Sequence, residues 1–458
     1  MIITQKTDIN ETNLSNWIKQ FVNDPTEQPR LMKLGKYYDN LNPITKKGAV
    51  KGRPNYSVHV NLASYITDVQ TGYFIGKPID YDWKEKINDS GNVTEKNPFK
   101  EQLTEILTNN YEEEENFTLA SDMSCYGVAY EIVMINEGKI CFSKLDAENT
   151  FFVYDNTILN KPICAVYLYT VYDQNQTWTE GYVYTAEVVR HFSLKGALTF
   201  DDTVTNPFGA IPVIKFKNNF DEKGDYEQVL EQLDALALTI SNETDDLQSI
   251  ANAILAIYGA MGTTEENIDN ISRTKVAKLP TDSKMEFVVK NINIEAVKHQ
   301  IDQNLDLIYQ ISNTPDLSDD SFGGQQSGVA MQYKLWGLEQ RRLTKVRYFR
   351  KSLFERLKLI LHILNILSPT DEIYDISQKV DFIFYSNLPH NESEIADMVV
   401  KLQGIVSQRT LLQQLCFVQD IPEEIRLVKE EQKAKAEQEA AAFNSYGEGI
   451  KKDTQTEE

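Results

Sequence analysis

The chain has 458 residues, enough for two or three ordinary domains, and its apolar share of 41% is typical of a protein with a packed core. Its formal net charge of −22 is opposite in sign to that of a monomeric protein that grips DNA phosphates, although solubility alone would also explain it. The N-terminus lacks a signal-peptide pattern, no apolar run is long enough to cross a membrane, and none of the four cysteines lies in a CxxC pair, so we expect a cytoplasmic protein with reduced cysteines.

The N-terminal part of the chain predicts mainly helices. Asn13 or Ser15 would cap the first helix, and a second short helix would cover Leu31–Tyr38. The segment Lys46–Pro54 is rich in Gly and Lys and predicts an exposed loop. The elements predicted next are a helix from Leu62 to Gly76, a strand at Ile79–Trp83 and helix over residues 98–128.

Between Gly127 and about Phe216 the pattern changes to short strands, in which β-branched and aromatic residues are separated by turn residues. Asp225 is then a candidate N-cap for a long helix, whose apolar residues recur every three or four positions as far as Tyr258. A helix of about 30 residues spans about 45 Å, so we expect it to leave the globule or to lie along a partner.

Residues 259–293 predict a small insert with a short helix near Glu265–Ile271 and strands at residues 275–280 and 284–290. A second amphipathic helix follows at Ile294–Ile311. Two amphipathic helices on either side of an insert predict a helical hairpin that carries a small domain at its tip. The alternative is an ordinary helical hairpin that packs on its own domain.

The segment Thr314–Ser327 predicts a mobile loop, because it contains Pro, Gly-Gly, Ser and Asp but neither Lys nor Arg. A long helix with a strongly basic middle is predicted from Gly328 to about Leu367, with a bend at Gly337. The last predicted elements are a strand at Val380–Tyr385, helices at Glu392–Val418 and Glu423–Phe443, and a polar tail.

Motifs of the common enzyme classes are absent from the sequence, including phosphate-binding and dinucleotide-binding glycine loops, HExxH and GxSxG. The five histidines are scattered, which favours surface or core roles over metal binding. Asp245 with Asp246, and Asp319 with Asp320, could hold Mg²⁺, but adjacent carboxylates are more often solvated charge. We therefore expect no enzyme, metal or cofactor; the alternative is a nucleic-acid-processing enzyme with an unrecognised acidic metal site.

The order of elements resembles that of the portal proteins of tailed bacteriophages, specifically those of long-tailed phages of Gram-positive hosts. The resemblance covers about residues 20–420 and is specific as an ensemble rather than in any one segment. The segments that carry it are NLASYITDVQTGYFIGKPIDY at 61–81, SDMSCYGVAYEIVMINEGKICFSKLDAENTFFVYDN at 121–156, NPFGAIPVIKFKNN at 206–219, SNETDDLQSIANAI at 241–254 and SDDSFGGQQSGVAMQYKLWGLE at 318–339.

The resemblance implies an α+β, helix-dominated fold with a strand-rich wing, long stem helices, a small α/β clip and a helical crown, and about twelve chains that close into a ring. The implied regions are a wing at 1–224, stem helices at 225–251 and 294–313 around a clip at 252–293, a channel loop at 314–327, a long wing helix at 328–367, a wing strand at 368–392, a crown at 393–440 and a disordered tail at 441–458.

The resemblance also implies a function and partners. The ring would lie at one vertex of the capsid in the virion, after assembly in the host cytoplasm, and double-stranded DNA would pass through it during packaging, retention and ejection. Its partners would be other copies of the chain, the terminase large subunit, the head-completion adaptor, and capsid and scaffolding proteins, with no membrane. A different phage head–tail adaptor is a further alternative.

Two sets of candidate site residues follow. The DNA-facing channel loop would contain Asp316, Leu317, Asp319, Asp320, Phe322, Gly323, Gly324 and Gln325. Its carboxylates would repel phosphate and so reduce friction on moving DNA, whereas the alternative for this segment is a plain surface linker. A basic helix face would contain Arg341, Arg342, Lys345 and Arg347. These cations would meet DNA or, as we favour, pair with acidic residues of a neighbouring subunit or of the tail.

Overall fold

The computed structural model describes residues 2–5, 8–44, 54–83, 86–87, 93–95, 100–173, 176–251, 254–258, 284–288, 293–317, 333–367, 380–385, 392–412, 415, 418 and 424–437. The chain divides into two compact units. The first consists of Met1–Gln325 and Gln332–Asn387, and the second of Gln326–Met331 and Leu388–Glu458. Helices and strands are mixed in the first unit, as the sequence predicts, and the described elements of the second unit are mainly helical.

The helices of the first unit are α1 (Glu11–Val22), α2 (Glu27–Tyr38), α3 (Leu62–Ile75), α4 (Lys100–Asn109), α5 (Glu112–Tyr126), α6 (Leu230–Ala251), α7 (Ile294–Ser312) and α8 (Trp336–Leu367). Short 3₁₀ turns lie at Ala147–Asn149 and Glu227–Val229. The second unit contains α9 (Glu392–Leu402), α10 (Gln408–Leu412) and α11 (residues 424–437). Among the described residues, no helix is both long and apolar enough to cross a membrane.

The strands are β1 (Ile2–Thr4), β2 (Asp80–Trp83), β3 (Lys86–Ile87), β4 (Val93–Glu95), β5 (Val128–Asn136), β6 (Lys139–Leu145), β7 (Thr150–Asp155), β8 (Pro162–Asp173), β9 (Gln176–Tyr184), β10 (Val188–Lys195), β11 (Ala197–Thr205), β12 (Val213–Lys217), β13 (Ile254–Tyr258), β14 (Lys284–Val288) and β15 (Val380–Ile383). They form a six-stranded sheet in the order β1-β7-β8-β9-β10-β11, a three-stranded sheet in the order β12-β5-β6, and the pairs β13-β14, β15-β2 and β3-β4.

Helix α1 packs on one face of the six-stranded sheet. Its apolar stripe includes Leu14, Trp17 and Ile18, which join the buried residues that alternate along β7 to β11. The predicted cap is wrong by one turn, because the side chain of Asn10 accepts the Asn13 N–H at 2.9 Å. Strand β1, which the sequence pattern did not predict, pairs in parallel with Val153–Asp155 of β7.

The largest core lies between α8 and the three-stranded sheet, with α3, α4 and α5 around it. Leu353, Leu357 and Ile360 recur along α8 at helical spacing and are all buried there. Such a stripe excludes water along one whole side of the helix and fixes α8 on the sheet. The predicted strand after α8 is confirmed, and its residues Val380–Ile383 pair antiparallel with Asp80–Trp83.

Helices α6 and α7 lie side by side, as the sequence predicts. The first half of α6 and the last half of α7 are buried against α2, α3 and α5 through residues such as Leu236 and Ile308. The predicted extension of α6 to Tyr258 is wrong. Ile254–Tyr258 is a strand that pairs antiparallel with Lys284–Val288, a partner about thirty residues later that the local apolar spacing does not reveal.

The remaining sequence predictions have different outcomes. Strand β14 confirms the predicted strand at residues 284–290 over most of its length, whereas the helix near Glu265–Ile271 and the strand at 275–280 lie outside the described residues. The long basic helix is confirmed from Trp336 to Leu367, and its predicted first turns at residues 328–332 lie outside the described residues.

Candidate functional site

The candidate site is the segment that follows α7, where the chain leaves the helical pair. Asp316 and Leu317 are its described members, and Leu317 is 54% exposed. The other residues predicted to face the channel lie outside the described residues; they are Asp319, Asp320, Phe322, Gly323, Gly324 and Gln325. We call the described part, residues 312–317, the loop root.

Helix α3 holds the loop root through two polar side chains. The Gln70 amide donates to the Ser312 carbonyl and to the Thr314 hydroxyl, both at 3.1 Å. The Tyr65 hydroxyl donates to the Pro315 carbonyl at 2.9 Å and accepts the Leu317 N–H at 3.0 Å. Because Gln70 is buried, its hydrogen bonds are costly to break. Together with those of Tyr65, they fix the path of the chain up to Leu317.

Helix α8 holds the loop root from the other side. Asn313 has a left-handed backbone conformation with φ of 51°, and a Cβ atom at Gly337 would lie only 2.5 Å from its amide oxygen. Glycine at 337 therefore permits a close approach at the start of α8 rather than a bend within it. The Arg341 guanidinium adds a hydrogen bond of 2.9 Å to the Ile311 carbonyl.

A buried carboxylate, Asp225, joins α8 to the start of α6. Its oxygens lie 2.5 Å from the Lys345 ammonium and 3.6 Å from the Arg341 guanidinium. The Asn218 amide donates to it at 2.9 Å, and the Ser124 hydroxyl donates to the same carboxylate. The predicted N-cap role is wrong, because this carboxylate is occupied by cations and the 3₁₀ turn before α6 has no side-chain cap.

The two cations determine the ionisation of Asp225. Burial alone would raise the pKa of this carboxyl, but the charges of Lys345 and Arg341 outweigh burial and hold the pKa below its ordinary value. The anion is thus maintained inside the protein, with two α8 cations on one side and the β12–α6 connection on the other. An ion network of this kind specifies where α6 begins relative to α8.

Most of the predicted basic face has partners within the chain. Lys345 is 2% exposed beside Asp225, and Arg342 makes two hydrogen bonds of 2.8 Å to the Glu339 carboxylate, which also accepts from Tyr73 at 2.7 Å. This placement differs from the expectation that these cations meet DNA or another subunit. Arg347 is the member of the predicted set whose side chain is exposed.

The described residues contain no group of three or more His, Cys, Asp or Glu side chains placed to hold a metal ion. Asp245 accepts the backbone N–H of Tyr56 at 2.7 Å and so holds the residue 54–60 segment along α6. Of the other acidic pair, Asp319 and Asp320 lie outside the described residues.

Sequence reasoning missed two kinds of residue: the side chains that hold the loop root, and the buried charges of the core. Gln70 lies on the same helical face as Ile66 and Tyr73, and Glu131 interrupts the apolar strand VAYEIVMI. A lone polar residue on an otherwise apolar face indicates a specific buried partner, because burial without one is costly. That signal would have identified both residues, although not their partners.

Comparison with known proteins identifies the family of the chain. Residues 21–438 match the family described as phage portal protein, SPP1 Gp6-like. The portal protein of Clostridium phage phiCD119 is 24% identical over an alignment of 462 positions, which covers 93% of this chain and 97% of that protein. The portal protein of Bacillus phage SPP1 is 21% identical over an alignment of 489 positions, which covers 98% of this chain and 92% of that protein. The chain belongs to the SPP1 Gp6-like family of phage portal proteins.

Proposed function

We propose that about twelve copies of this chain close into a ring at one capsid vertex, and that the ring is the channel for DNA packaging, genome retention and ejection. The observation that carries the proposal is the α6–α7 pair, which is anchored at one end and leads into an acidic loop through a fixed root. On this proposal the chain has no catalytic activity and becomes part of the virion.

The helical pair supports ring closure because it exposes apolar side chains in its outer half and also in its anchored half. Leu247 on α6 and Ile294 and Leu307 on α7 are between 44% and 62% exposed. Neighbouring copies related by a closed rotation would cover them, since each pair presents one flank to the copy before it and one to the copy after it. Burial of such residues is the main favourable term in subunit association.

The loop after the root is the proposed constriction of the channel. The support for this proposal is the root before it, which Tyr65 and Gln70 hold to α3, next to the Ile311 carbonyl that Arg341 of α8 contacts. Rings of carboxylates from Asp316, Asp319 and Asp320 would repel the DNA backbone. A tunnel that moves DNA gains from weak contacts, because each phosphate–lysine contact would have to break at every step.

The exposed part of the basic helix is proposed to contact a neighbouring subunit. Arg347, Lys351 and Lys358 lie along the exposed side of α8, whereas Arg341, Arg342 and Lys345 have partners within the chain. A chain with a net charge of −22 offers many carboxylates on an adjacent copy, which favours subunit pairing over DNA contact.

The remaining regions would serve the partners of a portal ring. We propose that α6 and α7 form the stem, that residues 252–293 form the clip, and that residues 393–440 form the crown. The clip would meet the terminase large subunit during packaging and the head-completion adaptor afterwards. Capsid and scaffolding proteins would contact the wing, which consists of residues 1–224 with the strand region at 368–392.

The test uses the full-length chain and a variant that lacks residues 318–327. Negative-stain imaging of both proteins should show closed rings, and the deletion variant should fail to package or to retain DNA. Packaging at the normal level by the deletion variant would contradict the assignment of the loop. A monomeric chain with Mg²⁺-dependent nuclease activity, lost on Asp245→Ala, would contradict the proposed function as a whole.

A further inference from the structure

A partly exposed surface on the six-stranded sheet combines aromatic rings with carboxylates. It lies on β8 to β11, on the side of the sheet opposite α1. We call it the aromatic–acidic face, and its members are Tyr169, Trp178, Glu180, Tyr182, His191 and Asp201. The proposed function assigns the wing as a whole to capsid and scaffolding proteins but gives no role to these particular residues.

Strand alternation places these side chains together. Leu168 and Val183 point toward α1 and are buried, so the adjacent residues Tyr169 and Tyr182 point to the opposite side of the sheet. The two tyrosine rings lie 6.2 Å apart, and the Tyr182 ring lies 4.9 Å from the His191 imidazole. The aromatic groups therefore form one continuous surface across three strands.

Hydrogen bonds hold this surface in one arrangement. The Tyr169 hydroxyl lies 3.0 Å from His191 Nε2, and the Asp201 carboxylate lies 3.2 Å from His191 Nδ1. The Trp178 indole N–H donates to the Glu180 carboxylate at 2.7 Å. Side chains that are already ordered lose little conformational entropy when a partner binds, so such a surface is prepared for binding.

The chain itself shows which chemistry fits the face. The Lys195 ammonium lies over the Trp178 ring, 4.2 Å from its centroid, and the N–H of the same ring donates to Glu180. A cation gains from the electron-rich face of an aromatic ring and from a nearby carboxylate at the same time. Glu180 and Asp201 are 22% and 47% exposed, which leaves carboxylate oxygens accessible to further cations.

We propose that the aromatic–acidic face is a docking site for a basic, arginine- or lysine-bearing segment of another protein. Charge complementarity argues against nucleic acid as the occupant, because Glu180 and Asp201 would repel phosphates although the rings would stack on bases. Aromatic and arginine side chains are enriched at the centres of protein interfaces, where rings and guanidinium groups pack together. The site is distinct from the helical pair and the loop root.

The test uses the full-length protein and a fluorescently labelled octapeptide in which arginine and serine alternate. The binding constant is measured by fluorescence anisotropy for the wild type and for the double variant Glu180→Gln/Asp201→Asn. We expect the peptide to bind the double variant at least about tenfold more weakly. Trp178→Leu keeps every carboxylate and should weaken binding about threefold to tenfold through the lost cation–aromatic contact.

The matched control is Glu101→Gln/Glu105→Gln, which removes the same charge from exposed positions on α4. It should change the binding constant by less than about twofold, because it removes only diffuse attraction. Equal weakening by the two double variants would overturn the proposal, since binding would then depend on net charge alone. Binding of a single-stranded oligonucleotide that competes with the peptide would also overturn it.

Two further measurements separate the proposal from folding defects and from ring assembly. The thermal midpoint of each variant should stay near that of the wild type, and Tyr182→Phe, which keeps the ring, should bind the peptide normally. Negative-stain images of Glu180→Gln/Asp201→Asn should show rings like those of the wild type. Loss of rings in this variant would identify the occupant as a neighbouring copy of the chain and would overturn the proposal of a different partner.

Discussion

At the scale of single residues, two fully buried charges between α8 and β5 form a matched pair. Arg356 and Glu131 are both fully buried and form two hydrogen bonds, of 2.9 Å and 2.6 Å, while the guanidinium lies 4.7 Å from the centre of the Phe142 ring. Arg356→Met would leave the Glu131 carboxylate buried without a cation, which we expect to lower the free energy of unfolding by about 3 kcal/mol. Chemical denaturation followed by circular dichroism measures this loss.

Asp381→Asn is the matched control for that variant. Asp381 of β15 pairs at 3.7 Å with Arg350, which lies on α8 as Arg356 does, but both side chains are 42% exposed. Removal of this pair should cost less than about 1 kcal/mol, because water screens the interaction. The double variant Glu131→Leu/Arg356→Met should recover much of the lost stability, since apolar groups replace both charges. Equal losses for Arg356→Met and Asp381→Asn would refute this account of the core.

Glu115 makes the stability of the chain depend on pH. Burial, followed by repulsion from Glu131, raises the pKa of the Glu115 carboxyl from its ordinary value of 4.5 to about 7. Between these two values the folded chain binds more protons at this position than the unfolded chain, so stability falls as the pH rises through the window. Glu115→Gln should therefore raise the thermal midpoint relative to wild type at pH 8, and this gain should disappear near pH 4.

The control for this prediction is Glu114→Gln, at an exposed position on the same helix. Its thermal midpoint should follow that of the wild type across the whole pH range. A gain for Glu115→Gln that persists unchanged at low pH would show that the effect comes from the amide itself rather than from ionisation.

At the scale of elements, the junction between α5 and β5 requires glycine. Gly127 has φ of 86°, and a Cβ atom there would lie 2.0 Å from the Glu222 carbonyl oxygen. Gly138, in the β5–β6 turn, has φ of 77° but nothing within 4 Å of its Cβ position. Gly138→Ala should cost about 1–2 kcal/mol through backbone strain alone, and Gly127→Ala about 4 kcal/mol or more. Chemical denaturation of the two variants compares backbone strain alone, in Gly138→Ala, with strain and a steric clash together, in Gly127→Ala. Equal losses of unfolding free energy would contradict the close approach of Glu222 to Gly127.

The elements that the sequence predicted are those whose pattern is local. The strands from Val128 to Lys217 alternate apolar with polar residues or are rich in β-branched residues, and α6, α7 and α8 repeat apolar residues at helical spacing. Each of these patterns can be recognised from one sequence alone. Strand β13 was misassigned because its register depends on β14, about thirty residues later. Asp225 was misassigned because its cations lie on α8, more than 100 residues away.

The candidate site was predictable only in part for the same reason. The composition of Thr314–Ser327 identifies a loop, but its root is held by Tyr65 and Gln70, which no local pattern connects to it. The basic middle of α8 was visible as a charge pattern. The charge pattern does not show which of these cations are buried. Lys345 pairs with Asp225 inside the protein and Arg347 is exposed, because the core covers one face of α8 and not the other.

At the scale of the whole molecule, the proposed ring requires that the exposed flank of the helical pair be an interface. Leu307 on α7 is 44% exposed, and its replacement by lysine would place a charge where a neighbouring copy should exclude water. We expect Leu307→Lys to weaken association at least about tenfold, seen in sedimentation velocity as loss of the ring in favour of smaller species. Met32→Lys, at a position on α2 that is 53% exposed, tests whether any added lysine has this effect and should leave the ring intact. Rings of normal stability in Leu307→Lys would mean that the subunits meet through another surface, because a buried lysine without a partner cannot be tolerated at an interface repeated around a closed ring.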